Sequence, residues 1–104
     1  MKQIIESFIS GAAFKVTPEN ITDFLALIQD NTEITWFKNE KPLNFNPFNY
    51  VNREFCFIDC KLNKKYMFWT APENFDGNFI DFADSLNNSQ RMTFDKSIMA
   101  FLKK

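Results

Sequence analysis

Two neighbouring segments that are apolar on both faces constrain the fold of this chain most strongly. The first runs from Arg53 to Leu62 and the second from Lys65 to Thr70, with the turn-prone pair Asn63-Lys64 between them. Alternate residues of a strand point to opposite faces of its sheet. In the first segment one face carries Phe55 and Phe57, and the other carries Cys56, Ile58, Cys60 and Leu62. A strand with two apolar faces is buried on both, so this pair predicts a hairpin with its first strand at the centre of a sheet.

Three amphipathic segments predict helices that pack on this sheet. They are residues 2–10, residues 18–30 and residues 94–103. The second begins after Thr17, a suitable N-cap, with Pro18 at the first helical position. The three apolar stripes are Ile4, Ile5, Phe8 and Ile9; then Ile21, Phe24, Leu25, Leu27 and Ile28; and last Phe94, Ile98, Phe101 and Leu102.

Three further segments complete the predicted elements. Residues 13–16 alternate apolar with polar side chains, residues 33–37 are rich in β-branched and aromatic side chains, and residues 78–86 predict a strand followed by a short helix. Together these elements predict a single α+β domain over residues 1–104. We expect a small, mainly antiparallel sheet of about four to five strands, packed by helices on one or both faces.

The absence of histidine from all 104 residues removes most familiar catalytic arrangements. Serine–histidine and cysteine–histidine pairs and every histidine-based metal site are excluded. Cys56 and Cys60 are the only thiols, and one chain with two thiols and no imidazole cannot complete a four-ligand zinc site. In a strand they would lie about 13 Å apart, beyond disulfide reach. We therefore expect buried, reduced thiols and a protein that is not an enzyme and carries no metal or cofactor.

The charge balance disfavours a nucleic-acid polymer as partner. Lys and Arg number 12 against 13 Asp and Glu, for a formal net charge of -1, whereas binding along a phosphate backbone usually needs a basic excess. No apolar run approaches the roughly 18 residues of a membrane span. The first ten residues also lack the unbroken apolar stretch of a secretory signal. We expect a soluble cytoplasmic protein with no membrane partner.

Several short motifs follow one another between residues 14 and 82. They are Thr17-Pro18-Glu19, Ile34-Thr35-Trp36, Lys41-Pro42, Phe45-Asn46-Pro47-Phe48 and the strand pair around Phe57 and Tyr66. In this order they resemble a recurrent type of small phage and mobile-element protein, mostly of unknown function. The chain departs from that type at Asn39-Glu40, where a glycine usually follows the tryptophan, and at Phe68-Trp69, where Tyr-Gly is usual. The resemblance implies a phage-encoded protein acting in the host cytoplasm and transfers no catalytic residue.

The segment 43–50 is the first candidate for a binding site. Its sequence, Leu-Asn-Phe-Asn-Pro-Phe-Asn-Tyr, has neither helical nor strand character, and long irregular connections often carry function. If its aromatic side chains point outward, they offer the anchors that dominate protein interfaces; if they fold back, they plug one end of the sheet. The candidate partner-binding residues are Phe45, Asn46, Phe48, Asn49 and Tyr50.

A second candidate site would hold a nucleotide signal between aromatic rings and lysines. Sheet aromatics stack bases in some single-strand binders, and a ligand with one or two phosphates needs few cations. The candidate residues are Trp36, Trp69, Tyr66, Lys64 and Lys65. The alternative for both tryptophans is ordinary packing in the core.

These observations favour a non-catalytic binding protein. The leading hypothesis is a phage-encoded protein that inhibits or redirects a host protein, of the anti-defence or host-takeover type, through an aromatic surface. The alternatives are a protein that binds and sequesters a small nucleotide signal, and a structural or homodimerising phage accessory protein.

Overall fold

The computed structural model of the chain describes residues 2–61 and 65–86. The predicted turn Asn63-Lys64 and the predicted helix 94–103 lie outside the described residues, and Lys64 of the candidate nucleotide site lies there too.

The described strands form one five-stranded sheet, as expected for an α+β protein. The strands are β1 (Ala13–Val16), β2 (Thr35–Trp36), β3 (Cys56–Lys61), β4 (Tyr66–Thr70) and β5 (Phe79–Asp81), in the order β2-β4-β3-β1-β5. β3 lies in the middle, with Ile58 opposite Phe14 of β1 on one side and opposite Trp69 of β4 on the other. The central position predicted for this strand is therefore confirmed.

The sheet is mixed: its central pairings are antiparallel, as expected, and parallel pairing is added at both edges. β3 is antiparallel to β1 and β4, but β5 runs parallel to β1 and β2 runs parallel to β4. Parallel neighbours require a crossover connection. Here the connection between β1 and β2 contains the second helix, and the connection between β4 and β5 crosses the sheet through residues 71–78. Local sequence patterns indicate strands but not the direction in which a crossover returns the chain.

Two helices cover one face of the sheet, α1 (Lys2–Ile9) and α2 (Ile21–Asn31). Helix α2 begins three residues later than the predicted start at Pro18. The Thr17 N–H donates to the side-chain oxygen of Asn20 at 2.8 Å, and the Thr17 carbonyl accepts from the Asn20 and Ile21 N–H groups. Residues 17–20 thus form a turn before the helix, because the side-chain oxygen of Asn20 accepts a hydrogen bond from the Thr17 backbone N–H. The predicted end near Asp30-Asn31 is confirmed.

A cluster of phenylalanines fills the space between the helices and the sheet. Phe8 of α1 and Phe24 of α2 meet edge to face with ring centroids 5.3 Å apart, and Phe24 contacts Phe14 at 5.4 Å and Phe82 at 5.0 Å. All four side chains have a relative exposure of 1% or less. This is the core that holds both helices on the sheet.

The opposite face carries its own aromatic cluster. Phe75 stacks on Phe57 with ring centroids 4.0 Å apart, and Phe79 meets Phe57 at 5.0 Å. Beside them Lys15 lies over the Phe55 ring and pairs with Asp81 at 3.7 Å. The segment between β4 and β5 therefore covers part of the second face, and it does so without an α-helix.

One predicted strand is shorter than expected, and the predicted irregular segment contains short turns. The predicted strand 33–37 contracts to Thr35–Trp36, and the segment 43–50 contains the 3₁₀ turns Pro42–Asn44 and Pro47–Asn49. Residues 78–86 form a strand, Phe79–Asp81, followed by helical residues 82–86, as predicted.

Candidate functional site: an aromatic groove beside β4

A groove opens where the short strand β2 ends beside the longer strand β4. β2 pairs only with Tyr66 and Met67, so within residues 2–61 and 65–86 the remaining three residues of β4 have a strand neighbour on the β3 side alone. The resulting cavity has a volume of about 500 Å³. We call it the edge groove and define it by its lining residues Trp36, Phe37, Lys38, Glu40, Phe45, Met67, Phe68 and Trp69.

Trp36 forms a fixed base for the groove. Its side chain is 5% exposed, and the indole N–H donates to the Pro42 carbonyl at 3.0 Å. Phe45 meets the indole edge to face at 5.3 Å, and Tyr50 stacks on the outer side of Phe45 at 5.4 Å with an interplanar angle of 11°. The hydrogen bond satisfies the buried indole N–H, so this wall is held in one orientation.

A tight turn from Phe37 to Glu40 closes one end of the groove. Lys38 and Asn39 have φ values of 68° and 65°, in the left-handed region that side chains with a Cβ rarely adopt. The turn is held by the Trp36 N–H, which donates to the Glu40 carbonyl at 2.8 Å, and by the Tyr66 hydroxyl, which donates to the Asn39 side-chain oxygen at 3.4 Å. Strain of this kind persists only where the surroundings determine the conformation, and it clusters at functional sites.

Phe37 is the most exposed of the groove's aromatic residues. Its side chain is 54% exposed and rests edge-on against Tyr66 at 5.6 Å and tilted against Phe68 at 6.1 Å. Lys38 and Glu40 at the rim are exposed, and neither takes part in an ion pair with any described residue. The groove therefore combines an apolar interior with unneutralised charges at its mouth.

The predicted partner-binding residues of segment 43–50 separate into three environments. Phe45 lines the edge groove, and Tyr50 beside it is 74% exposed. Phe48 is partly buried and packs against the core. Asn46 accepts a hydrogen bond from the Phe48 N–H at 3.0 Å, and Asn49 is exposed. The segment thus contributes Phe45 and Tyr50 to a surface, while Phe48 and Asn46 hold the segment in place.

The predicted nucleotide-binding residues do not surround one space. Trp36 and Trp69 line the groove from the face that carries the helices. Tyr66 alternates with Met67 and so points to the other face, where Lys65 lies 5.4 Å over its ring. The structure therefore brings the two tryptophans together with Phe45, a residue of the other predicted site.

Five residues that line the groove were not among the sequence-based candidate site residues. These are Phe37, Lys38, Glu40, Met67 and Phe68. The signal that could have found them is the pair Lys38-Asn39 directly after an aromatic run, because asparagine tolerates the left-handed conformation of tight turns. The sequence does not show that this turn packs beside β4.

The thiol of Cys56 and the acidic side chains bear on the chemistry of the described residues. Burial raises the pKa of the Cys56 thiol to about 12, so the thiol stays protonated and is a poor nucleophile at neutral pH. No group of three or more Cys, Asp or Glu side chains in residues 2–61 and 65–86 could hold a metal ion. Across the same residues, no helix has the length and apolar character required to cross a bilayer.

No protein-family model, no curated protein and no solved structure matches this chain.

Proposed function

We propose that this chain is a non-catalytic binding protein and that the edge groove holds apolar side chains of a partner protein. The observation that carries the proposal is the open groove itself, with Phe37 standing 54% exposed at its rim. Exposed aromatic side chains around a depression are typical of the anchoring regions of protein interfaces.

The rigidity of the groove supports a role in binding. The indole of Trp36 is tied to Pro42, and the turn at Lys38 and Asn39 is tied to Trp36 and Tyr66. Walls that are already ordered lose little conformational entropy when a partner binds. A surface of this kind can bind without first rearranging.

The biological setting is part of the same proposal. The motif order between residues 14 and 82 resembles small phage and mobile-element proteins. We infer a phage-encoded protein that occupies a functional surface of a host protein and thereby inhibits or redirects it. Such a role requires only stable binding.

Phe37→Ala tests the proposal, with Phe79→Ala as the matched control. Both side chains are about half exposed, and each rests on two other aromatic rings, but only Phe37 lines the groove. Immobilised wild type and Phe79→Ala should retain the same dominant protein from a bacterial lysate, and Phe37→Ala should retain at least tenfold less. Equal retention by Phe37→Ala, or no retained protein at several salt concentrations, would contradict the proposal.

A small nucleotide is the second candidate ligand, because Trp36 and Trp69 line the same groove with Lys38 at its mouth. Two aromatic rings and one cation suit a base with few phosphates. Thermal unfolding with a panel of nucleotides tests this, since a ligand at 100 times its dissociation constant stabilises by about 2.7 kcal/mol. An unchanged melting temperature throughout the panel removes this candidate.

A further inference from the structure

The backbone of Trp69 faces the edge groove. The Lys65 carbonyl accepts from the Thr35 N–H at 3.2 Å, so Lys65 directs its backbone towards β2. Successive residues of a strand direct their N–H and C=O groups to alternate sides, so Met67 and Trp69 direct theirs the same way. The pairing with β2 stops at Met67. Trp69 is therefore the next position of the ladder, and within the described part of the chain no strand occupies it.

The groove has aromatic walls on both faces of the sheet at this position. Trp69 and Trp36 lie on the face that carries the helices, whereas Phe68 points to the other face, where Phe37 contacts it. A chain lying beside β4 would send alternate side chains to these two faces. Each set would meet aromatic rings, which suits an extended segment with apolar side chains on both sides.

The size of the opening fits a short extended segment and is too small for the surface of a folded protein. The unpaired part of β4 is the three residues Phe68–Thr70, about 10 Å long at roughly 3.3 Å per residue. A stable interface between folded proteins, including a second copy of this chain, buries about 800 Å² on each partner, far more than this edge offers.

We propose that an extended segment of a partner protein binds in the edge groove by adding a short strand to β4 beside Trp69. This rests on the proposed function and specifies the kind of partner. One backbone N–H of the segment donates to the Trp69 carbonyl, and one of its carbonyls accepts from the Trp69 N–H. Main-chain hydrogen bonds then supply affinity, and the aromatic walls select the side chains, as in other cases of strand addition.

The probe is a library of random hexapeptides, selected on the immobilised full chain in the presence of excess soluble Phe37→Ala. Selected peptides are then synthesised with a single N-methyl group at each residue in turn. N-methylation removes one backbone N–H and leaves every side chain in place. Methylation at the residue that bonds to Trp69 should weaken binding at least tenfold. Methylation at its two neighbours, whose N–H groups point away from β4, should change the affinity less than twofold.

Amide exchange of the protein provides the second measurement. Saturation with a selected peptide should slow exchange of the Trp69 amide at least tenfold, with the same result in Phe79→Ala, whose altered side chain is outside the groove.

Two results would overturn strand addition. One is peptide binding that no single N-methyl group weakens, and the other is selection of no hexapeptide that prefers wild type to Phe37→Ala. The proposed function survives either result if the lysate protein is still retained by wild type and lost with Phe37→Ala. If that capture fails as well, both proposals fall.

Discussion

Lys38 and Asn39 hold the left-handed conformation although both carry a Cβ atom, and this shapes the mouth of the groove. Their φ values of 68° and 65° reverse the direction of the chain, so that the Glu40 carbonyl accepts a hydrogen bond from the Trp36 N–H. Asparagine tolerates this region well, but lysine does so at a cost. At the scale of the residue, the groove therefore depends on backbone strain that the surrounding hydrogen bonds maintain.

Replacing Lys38 with valine tests that strain. A β-branched residue at φ 68° should lower the free energy of unfolding by about 1 kcal/mol or more. Lys41→Val is the matched control, because Lys41 is also exposed but has an extended φ of -62°. Urea unfolding of both variants gives the comparison, and equal stability would show that the turn is not strained.

Burial of the Cys56 thiol predicts its reactivity. Burial raises its pKa to about 12 from 9.0, and Cys60 is buried as well, so the native protein should react with a thiol reagent such as DTNB only through unfolding. Ser10→Cys, at an exposed position, should add one fast-reacting thiol. Fast reaction of native wild type would contradict the burial of these thiols.

The raised pKa of Cys56 also predicts how stability depends on pH. Between pH 9 and 12 the unfolded chain loses the Cys56 proton while the folded chain keeps it, so the free energy of unfolding should fall as pH rises.

At the scale of elements, one exposed ion pair links the entry to β3 with the crossover that follows β4. The Arg53 Nε donates to both oxygens of Glu73 at 3.0 and 3.1 Å, and Glu73 lies in the 3₁₀ turn Pro72–Asn74. The hydrogen bond to the Glu73 carboxylate raises the pKa of Arg53, and the same hydrogen bond lowers the pKa of Glu73 to about 2 from 4.5. Two-point contact of this kind gives a surface pair better-defined geometry than a single contact would.

The lowered pKa of Glu73 predicts a specific dependence on acid. Its contribution to stability is present above pH 4.5 and is lost as pH falls towards 2, because the folded carboxylate holds its proton less tightly than the unfolded one. Glu73→Gln should remove that part of the pH dependence, whereas Glu19→Gln, at an exposed residue outside the ion pairs described, should keep it. If the melting temperatures of wild type and Glu73→Gln fall equally as pH decreases below 4.5, Glu73 does not contribute this pH dependence and the prediction is wrong.

In the molecule as a whole, the residues that stabilise the fold are different from the residues that we expect to bind a partner. The core rings Phe8, Phe14, Phe24 and Phe82 are fully enclosed, whereas Phe37 stands at the surface. A domain of this size has only about 5–15 kcal/mol of total stability. Removing one enclosed ring therefore threatens the fold, and removing Phe37 does not.

Phe24→Ala and Phe37→Ala should differ sharply in stability. The Phe24 ring contacts three others and is 0% exposed, so its loss should cost about 3–5 kcal/mol. The loss at Phe37 should stay near 1 kcal/mol or below. Urea unfolding midpoints measure both, and a comparable loss at the two positions would mean that the groove rim belongs to the core.

Local sequence patterns were enough to predict the class of fold and its central elements. Alternation on both faces of residues 53–62 placed β3 in the interior, and helical periodicity located α1 and most of α2, because side-chain period and burial are local properties of a chain. The apolar stripes of α1 and α2 followed from the same patterns.

The directions of β2 and β5 and the place of the candidate site depend on long-range packing, which local patterns do not specify. Crossovers through α2 and through residues 71–78 make both edge pairings parallel, and nothing local to either strand specifies this. The groove likewise joins Phe45, Trp36 and Trp69 from three separate segments. Such proximity arises only when long-range packing closes the chain on itself, so Phe45 of one predicted site lines the same groove as Trp36 and Trp69 of the other.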